Sequence, residues 1–226
     1  MDKNTNLAAQ TALQVIVFFI VFALFIFIPA GTVAFWQGWG FFAVFCASTV
    51  LITVYFIKKD PALISRRISP NETRKQQKIF QSISGAVFFI GLLVIPGLDF
   101  RFSWSGVPAI IVVISDIIVL LGFIIVYFVF KTNSYTSAAI GVDKGQKVIS
   151  TGVYSVVRHP MYLGAVLILI FMPLALDSLW GLIPALFICV FVVLRLLDEE
   201  KLLLKELDGY EEYCKKTRYH LIPYIW

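Results

Sequence analysis

The sequence predicts an all-α integral membrane protein with about six transmembrane helices and a cytosolic C-terminal region. Three observations lead there. Hydrophobic residues make up 59% of the 226 and charged residues only 15%, more apolar surface than a soluble domain of this length can bury. Apolar runs recur at 12–34, 38–57, 79–97, 107–130, 160–176 and 179–196, each close to the roughly 20 residues that cross a hydrocarbon core of about 30 Å. Lys and Arg gather in alternate connections between these runs, which predicts that both termini are cytosolic.

The first run is too long for a signal-peptide core and is expected to be retained. The connection after the second run carries Lys58, Lys59, Arg66, Arg67, Arg74, Lys75 and Lys78 and reads as a solvated, lipid-facing segment. The connection after the fourth run carries Lys131, Lys144, Lys147 and Arg158, and the tail carries Lys201, Lys205, Lys215, Lys216 and Arg218. On the opposite side Arg101 stands beside Asp99, and Trp36, Trp39, Trp104 and Trp180 mark helix ends, as interfacial anchors do. The net charge of +5 therefore belongs to membrane-flanking segments, and no nucleic-acid partner is expected. Cys46, Cys189 and Cys214 form no Cys-x-x-Cys pair, so neither a disulfide framework nor a metal site is expected. Asp116 falls near the middle of the fourth run and is expected to be neutral or hydrogen-bonded to a Ser or Tyr of a neighbouring helix. His220, Tyr210 and Tyr213 read as surface or packing residues of the tail.

The chemistry concentrates in the last third. In Arg158-His159-Pro160-Met161-Tyr162 the proline suits the first turn of a helix and pushes His159 toward an extended backbone, so the fifth helix is expected to start at Pro160. The free N–H groups of that helix end favour an anion, Tyr162 can stack or hydrogen-bond, and Gly164 is expected to let a ligand approach the backbone. At the end of the sixth run, Arg195 and Glu199 share a helix face at i,i+4 with Glu200 one step round. The short Asp177-Ser178 connection makes the last two runs an antiparallel hairpin. It is expected to set Arg195 beside Pro160 and Glu199 near Val156, so that both polar clusters meet at one depth.

These pieces, Thr151-Gly152-Val153-Tyr154, then Arg158-His159-Pro160-Met161-Tyr162-x-Gly164, then Glu199-Glu200, then the tail GYEEYCKKTRYHLIP at 209–223, resemble the isoprenylcysteine carboxyl methyltransferase-like membrane methyltransferases. That family is related to phospholipid methyltransferases. Asn133-Ser134-Tyr135 resembles the family's segment after the preceding helix. The resemblance divides the chain into N-terminal helices at 1–130 and a methyltransferase region at 131–226. It implies that S-adenosylmethionine binds on the cytosolic side, with Arg158, His159, Tyr162, Gly164 and Glu199 as cofactor residues. It also implies a lipophilic acceptor that enters from the bilayer past Asn133 and Arg195. A carboxylate acceptor, such as a prenylcysteine-type C-terminus, needs an orienting cation, for which Arg195 is the candidate. An ammonium acceptor needs a base, for which Glu200 is the candidate. An NADPH-dependent steroid-reductase-like enzyme and a non-enzymatic scaffold are the competing expectations.

Overall fold

Apolar sequence with few breakers forms helix, because in lipid every backbone N–H and C=O must find an internal partner. The computed structural model describes residues 3–68, 75–142 and 145–226 and is helical, with no strand among the described residues. Of the expected cytosolic charges, Arg74 and Lys144 lie outside the described residues.

The elements are α1 (Lys3–Ala30), α2 (Trp36–Lys59), α3 (Pro61–Ile68), α4 (Lys75–Ala86), a π-helical stretch (Val87–Val94), α5 (Ile95–Phe102), α6 (Ala109–Thr132), a 3-10 turn (Gly152–Ser155), α7 (Pro160–Ala175), α8 (Leu182–Glu206) and α9 (Tyr210–Lys216). The rod Gln77–Phe102, which joins α4 to α5, runs through Pro96 instead of stopping at it. Proline has no N–H to give, and the rod absorbs the lost donor by widening: the N–H of Ile95 reaches back to the carbonyl of Ile90. The basic connection after α2 is ordered in part as α3. There Asp60 Oδ1 accepts from the Leu63 N–H at 3.0 Å, Pro61 occupies the first position, and Leu63 and Ile64 are buried.

Among the described residues, four helices are long and apolar enough to cross a membrane: Leu7–Ala30, Trp36–Lys59, Gln77–Phe102 and Ala109–Thr132. Of the six expected crossings, α7 is a shorter apolar helix of 16 residues, and α8 carries charge in its second half. The outward faces are apolar and bare, with Leu51 70%, Ile110 66% and Ile183 63% exposed, which is tolerable only against lipid. Trp36, Trp39, Trp104 and Trp180 are all exposed.

Two cores hold the bundle. One is rich in phenylalanine, built around Phe22, Phe41, Leu92, Leu93 and Met172 where α1, α2, the π-helical stretch and α7 meet. The other lies toward the far end, around Phe56, Leu63, Val129, Tyr154, Leu203, Tyr210 and Tyr213. At the first end, three connections are tied by carboxylates. Asp177 accepts from Gln37 Nε2 at 2.8 Å and from the Val107 N–H at 2.6 Å. Asp99, fully buried, accepts from the Ser105 N–H, the Ser105 hydroxyl and the Ser178 hydroxyl at 2.5–2.7 Å. The α7–α8 connection therefore sits level with those before α2 and α6.

Helices α6 and α7 approach closely at Gly164, where a ligand was expected. A Cβ at Gly164 would stand 2.8 Å from the carbonyl oxygen of Gly122, and a Cβ at Gly122 would stand 2.8 Å from that of Gly164. The glycine serves a helix crossing and is not among the residues that line the cavity. Asp116, expected to be neutral or hydrogen-bonded, has its Oδ1 buried without a hydrogen-bond partner, and its Oδ2 faces Gly40 of α2.

Candidate functional site

A cavity of about 410 Å³ opens between the N-terminus of α7, the second half of α8 and the segments 133–141 and 146–149, a size within the range of small-molecule sites. Pro160 starts α7 as expected, with His159 at φ −125° just before it. Pro160, Met161 and Tyr162 line the cavity, so the positive end of the helix faces it.

The hairpin register differs from expectation. The turn runs from Leu176 to Gly181, longer than two residues, and Glu199 meets Tyr162 instead of Val156: the Tyr162 hydroxyl donates to Glu199 Oε2 at 2.5 Å. Glu199 lies beyond the apolar run that ends at 196. Burial holds its carboxyl above the usual carboxylate range, opposed by the Tyr162 hydrogen bond and by Arg195 and Arg67. Arg195 lines the same cavity, donating through Nη1 to Gln77 Oε1 at 2.9 Å and through Nη2 to the Ala138 carbonyl at 2.6 Å. Asn133 lines it too, donating to the Tyr154 hydroxyl at 3.1 Å while its Oδ1 accepts from the Tyr135 N–H at 2.9 Å.

His159 is 5% exposed, and its Nε2 is 3.4 Å from the Tyr210 hydroxyl. Burial, Arg158 and His220 together push its pKa down to about 3, so the ring is neutral at neutral pH. It can share a hydrogen bond there but cannot act as a cation.

Glu200 takes a different place from its neighbour. It is 8% exposed and forms no part of the cavity wall. Its Oε1 is 2.8 Å from Arg158 Nε and its Oε2 is 2.8 Å from His220 Nε2. The N–H groups of Arg158 and His159 donate to the carbonyls of Tyr219 and His220 at 2.8 and 3.0 Å, and the His220 ring stacks on Trp226 at 4.7 Å. This lacing fastens the tail across the start of α7. Glu200, expected as a base, instead has one carboxylate oxygen on the Arg158 guanidinium and the other on the His220 ring, and it does not line the cavity. Arg158 borders the cavity, but its guanidinium points to Glu200, which turns the expected cofactor contact into an anchor. His220, read as a surface residue, is part of the same anchor.

Sequence reasoning missed several contributors. Arg67, Gln81 and Ser84 from the N-terminal half line the cavity, and Gln77 positions Arg195, so the site is not confined to 131–226. Asp60-Pro61 was the available signal, a helix start inside what reads as a charge run. Tyr210 and Tyr213 pack the tail as expected and also line the cavity, with the Tyr213 hydroxyl donating to the Tyr154 carbonyl at 2.7 Å.

Comparison with known proteins falls on this same region. Residues 110–209 match the family model for phospholipid methyltransferases, which supports a membrane methyltransferase type of function. A mouse Delta(14)-sterol reductase is 31% identical over 106 residues, covering 43% of this chain and 25% of that protein, so the chain spans about a quarter of the relative's length. The resemblance seen in the motifs is thereby shown over the segment from α6 to just past the end of α8: this is an all-α membrane protein whose residues 110–209 are phospholipid-methyltransferase-like.

Proposed function

We propose that the protein transfers a methyl group from S-adenosylmethionine to a lipophilic acceptor dissolved in the membrane, and that this acceptor is a carboxylate of the prenylcysteine type, giving a methyl ester. The observation that carries the reading is the meeting of the α7 N-terminus, the Tyr162–Glu199 pair and Arg195 around one cavity, inside the matched segment. The residues present fit the cofactor: a helix N-terminus for its carboxylate, a neutral His159 beside Tyr210 for hydroxyl or ring nitrogen atoms, and Glu199 for its cationic or ribose groups. The cofactor supplies an already activated methyl group, so the chain's task is to position and to balance charge. Arg195 orients an incoming carboxylate through its planar fork, and no base is required. For an amine acceptor the base would be Glu199, the carboxylate that faces the cavity. On this reading the cavity end and both termini are cytosolic, which the Lys and Arg of the connections and tail support.

Incubation with methyl-labelled cofactor and fractionated membrane lipids tests the reading. The expected product releases methanol in mild base, and Arg195→Leu keeps cofactor affinity within a few-fold while losing on the order of a hundredfold in rate. A base-stable product moves the protein to N-methylation, and a variant of normal rate removes Arg195 from the mechanism.

The sterol reductase relative favours a second reading, an NADPH-dependent reductase of a membrane-dissolved substrate. Equilibrium binding to the detergent-solubilised protein separates the two: tight binding of NADPH with none of S-adenosylmethionine selects the reductase.

A further inference from the structure

Side-chain donors from three elements converge on the backbone carbonyls of one short segment. Arg66 donates to the carbonyl of Ser134, and Arg67 Nη1 to that of Ser137 at 3.2 Å. The Ala138 carbonyl accepts from both Gln81 Nε2 at 3.0 Å and Arg195 Nη2 at 2.6 Å. Arg67 from α3 and Arg195 from α8 thus bring two guanidinium groups to adjacent residues of the cavity wall. Both line the cavity, and among the described residues no carboxylate forms an ion pair with either, whereas Arg158 close by has Glu200. The carboxylate that the cavity does hold, Glu199, receives the Tyr162 hydroxyl and lies in the field of both guanidinium groups, but among the described residues it makes no ion-pair contact with either.

Two like charges held together in a half-buried wall repel, and the repulsion is relieved by an anion between them. A guanidinium presents five N–H donors in a planar fork that fits the two oxygens of a carboxylate, and a lone amide carbonyl uses little of it. Gln77 holds Arg195 by its other arm and donates to Asp198 Oδ2 at 2.6 Å, so this guanidinium is oriented before any ligand arrives.

We propose that Arg67 and Arg195 form a two-guanidinium receptor for a ligand carboxylate, with the Ser137 and Ala138 carbonyls holding the arginines until that carboxylate takes their place. The receptor rests on the methyltransferase reading for the source of the carboxylate, which is either the methionine end of the cofactor or the acceptor. Arg67 lies outside the segment that matches the family, and the receptor gives the N-terminal half of the chain a part in recognition.

The test is equilibrium binding of four probes to the full-length protein in detergent: S-adenosylmethionine, its decarboxylated analogue, N-acetyl-S-farnesylcysteine and the carboxamide of that compound. Arg67→Gln is expected to weaken one carboxylate probe by about tenfold or more while changing its carboxylate-free counterpart by less than about twofold. The pair affected names the source. Arg67→Lys, which keeps the charge without the fork, is expected to fall between. Equal losses within both pairs, the mark of general damage, overturn the receptor. So does a wild-type protein that prefers neither carboxylate probe over its counterpart. The assay needs no turnover: absence of methyl transfer with carboxylate selectivity intact would remove the proposed reaction and leave the receptor standing.

Discussion

Adjacent glutamates in this protein do different work because a helix turns about 100° per residue. Glu199 faces the cavity and Tyr162, and Glu200 faces the tail through Arg158 and His220. Glu199→Gln is expected to weaken S-adenosylmethionine by about tenfold or more with little change in melting temperature. Glu200→Gln leaves a buried guanidinium without its partner and is expected to cost about 3 kcal/mol of stability. Thermal unfolding in detergent alongside cofactor binding separates the two, and identical behaviour of the variants would dissolve the distinction. His159 adds a pH dependence. Its folded pKa, near 3, lies below the ordinary value of 6.5, so between these limits the unfolded chain binds more protons than the folded one. The stability it contributes is complete above about pH 6.5 and is lost as the pH falls toward 3. Unfolding followed between pH 7 and pH 5 should show a steeper loss in the wild type than in His159→Asn, by up to about one proton; parallel curves would contradict the buried neutral ring.

Among the elements, α7 is decided by its two ends and one contact. Pro160 starts it, the turn from Leu176 ends it, and Gly164 lets its backbone touch Gly122 of α6. Gly164→Ala places a methyl group against a carbonyl oxygen that belongs to helix backbone, so a helix has to move. The expected cost is about 1–3 kcal/mol, with cofactor affinity of the folded protein unchanged. Gly122→Ala should behave alike. A tenfold loss of cofactor binding at unchanged stability in Gly164→Ala would restore a ligand role to the glycine. The short helix α3 is the element that brings Arg67 to the cavity, and its buried Leu63 and Ile64 fix it under α6 and the tail.

At the scale of the whole molecule, the two ends of the bundle differ in kind. One end is closed by Asp99 and Asp177 acting on neighbouring connections, and the other carries the cavity and the laced tail. With Cys46, Cys189 and Cys214 replaced, a single cysteine at position 145 is expected to stay protected from an impermeant thiol reagent in sealed cells, and one at 103 is expected to react. The reverse pattern would invert the orientation and put the cavity on the wrong side for a cytosolic cofactor.

The amino-acid sequence by itself determined what depends on composition and on local chemistry. Apolar runs of membrane-crossing length specify helices, Lys and Arg mark the connections, and Pro160 after His159 specifies where α7 starts, because these signals act through the backbone of the residues that carry them. The two motif clusters, and with them the cavity-lining Pro160, Tyr162, Arg195 and Glu199, were legible for the same reason. What the tertiary structure alone decided are contacts between distant segments: the register that brings Glu199 to Tyr162, the burial of Glu200 on Arg158 and His220, the use of Gly164 for helix crossing, and the arrival of Arg67 and Gln77 beside Arg195. A carboxylate or a guanidinium has the same local sequence preferences whether it faces a cavity or an ion partner. Only the packing of α3, α4, α8 and the tail around the start of α7 distinguishes the two.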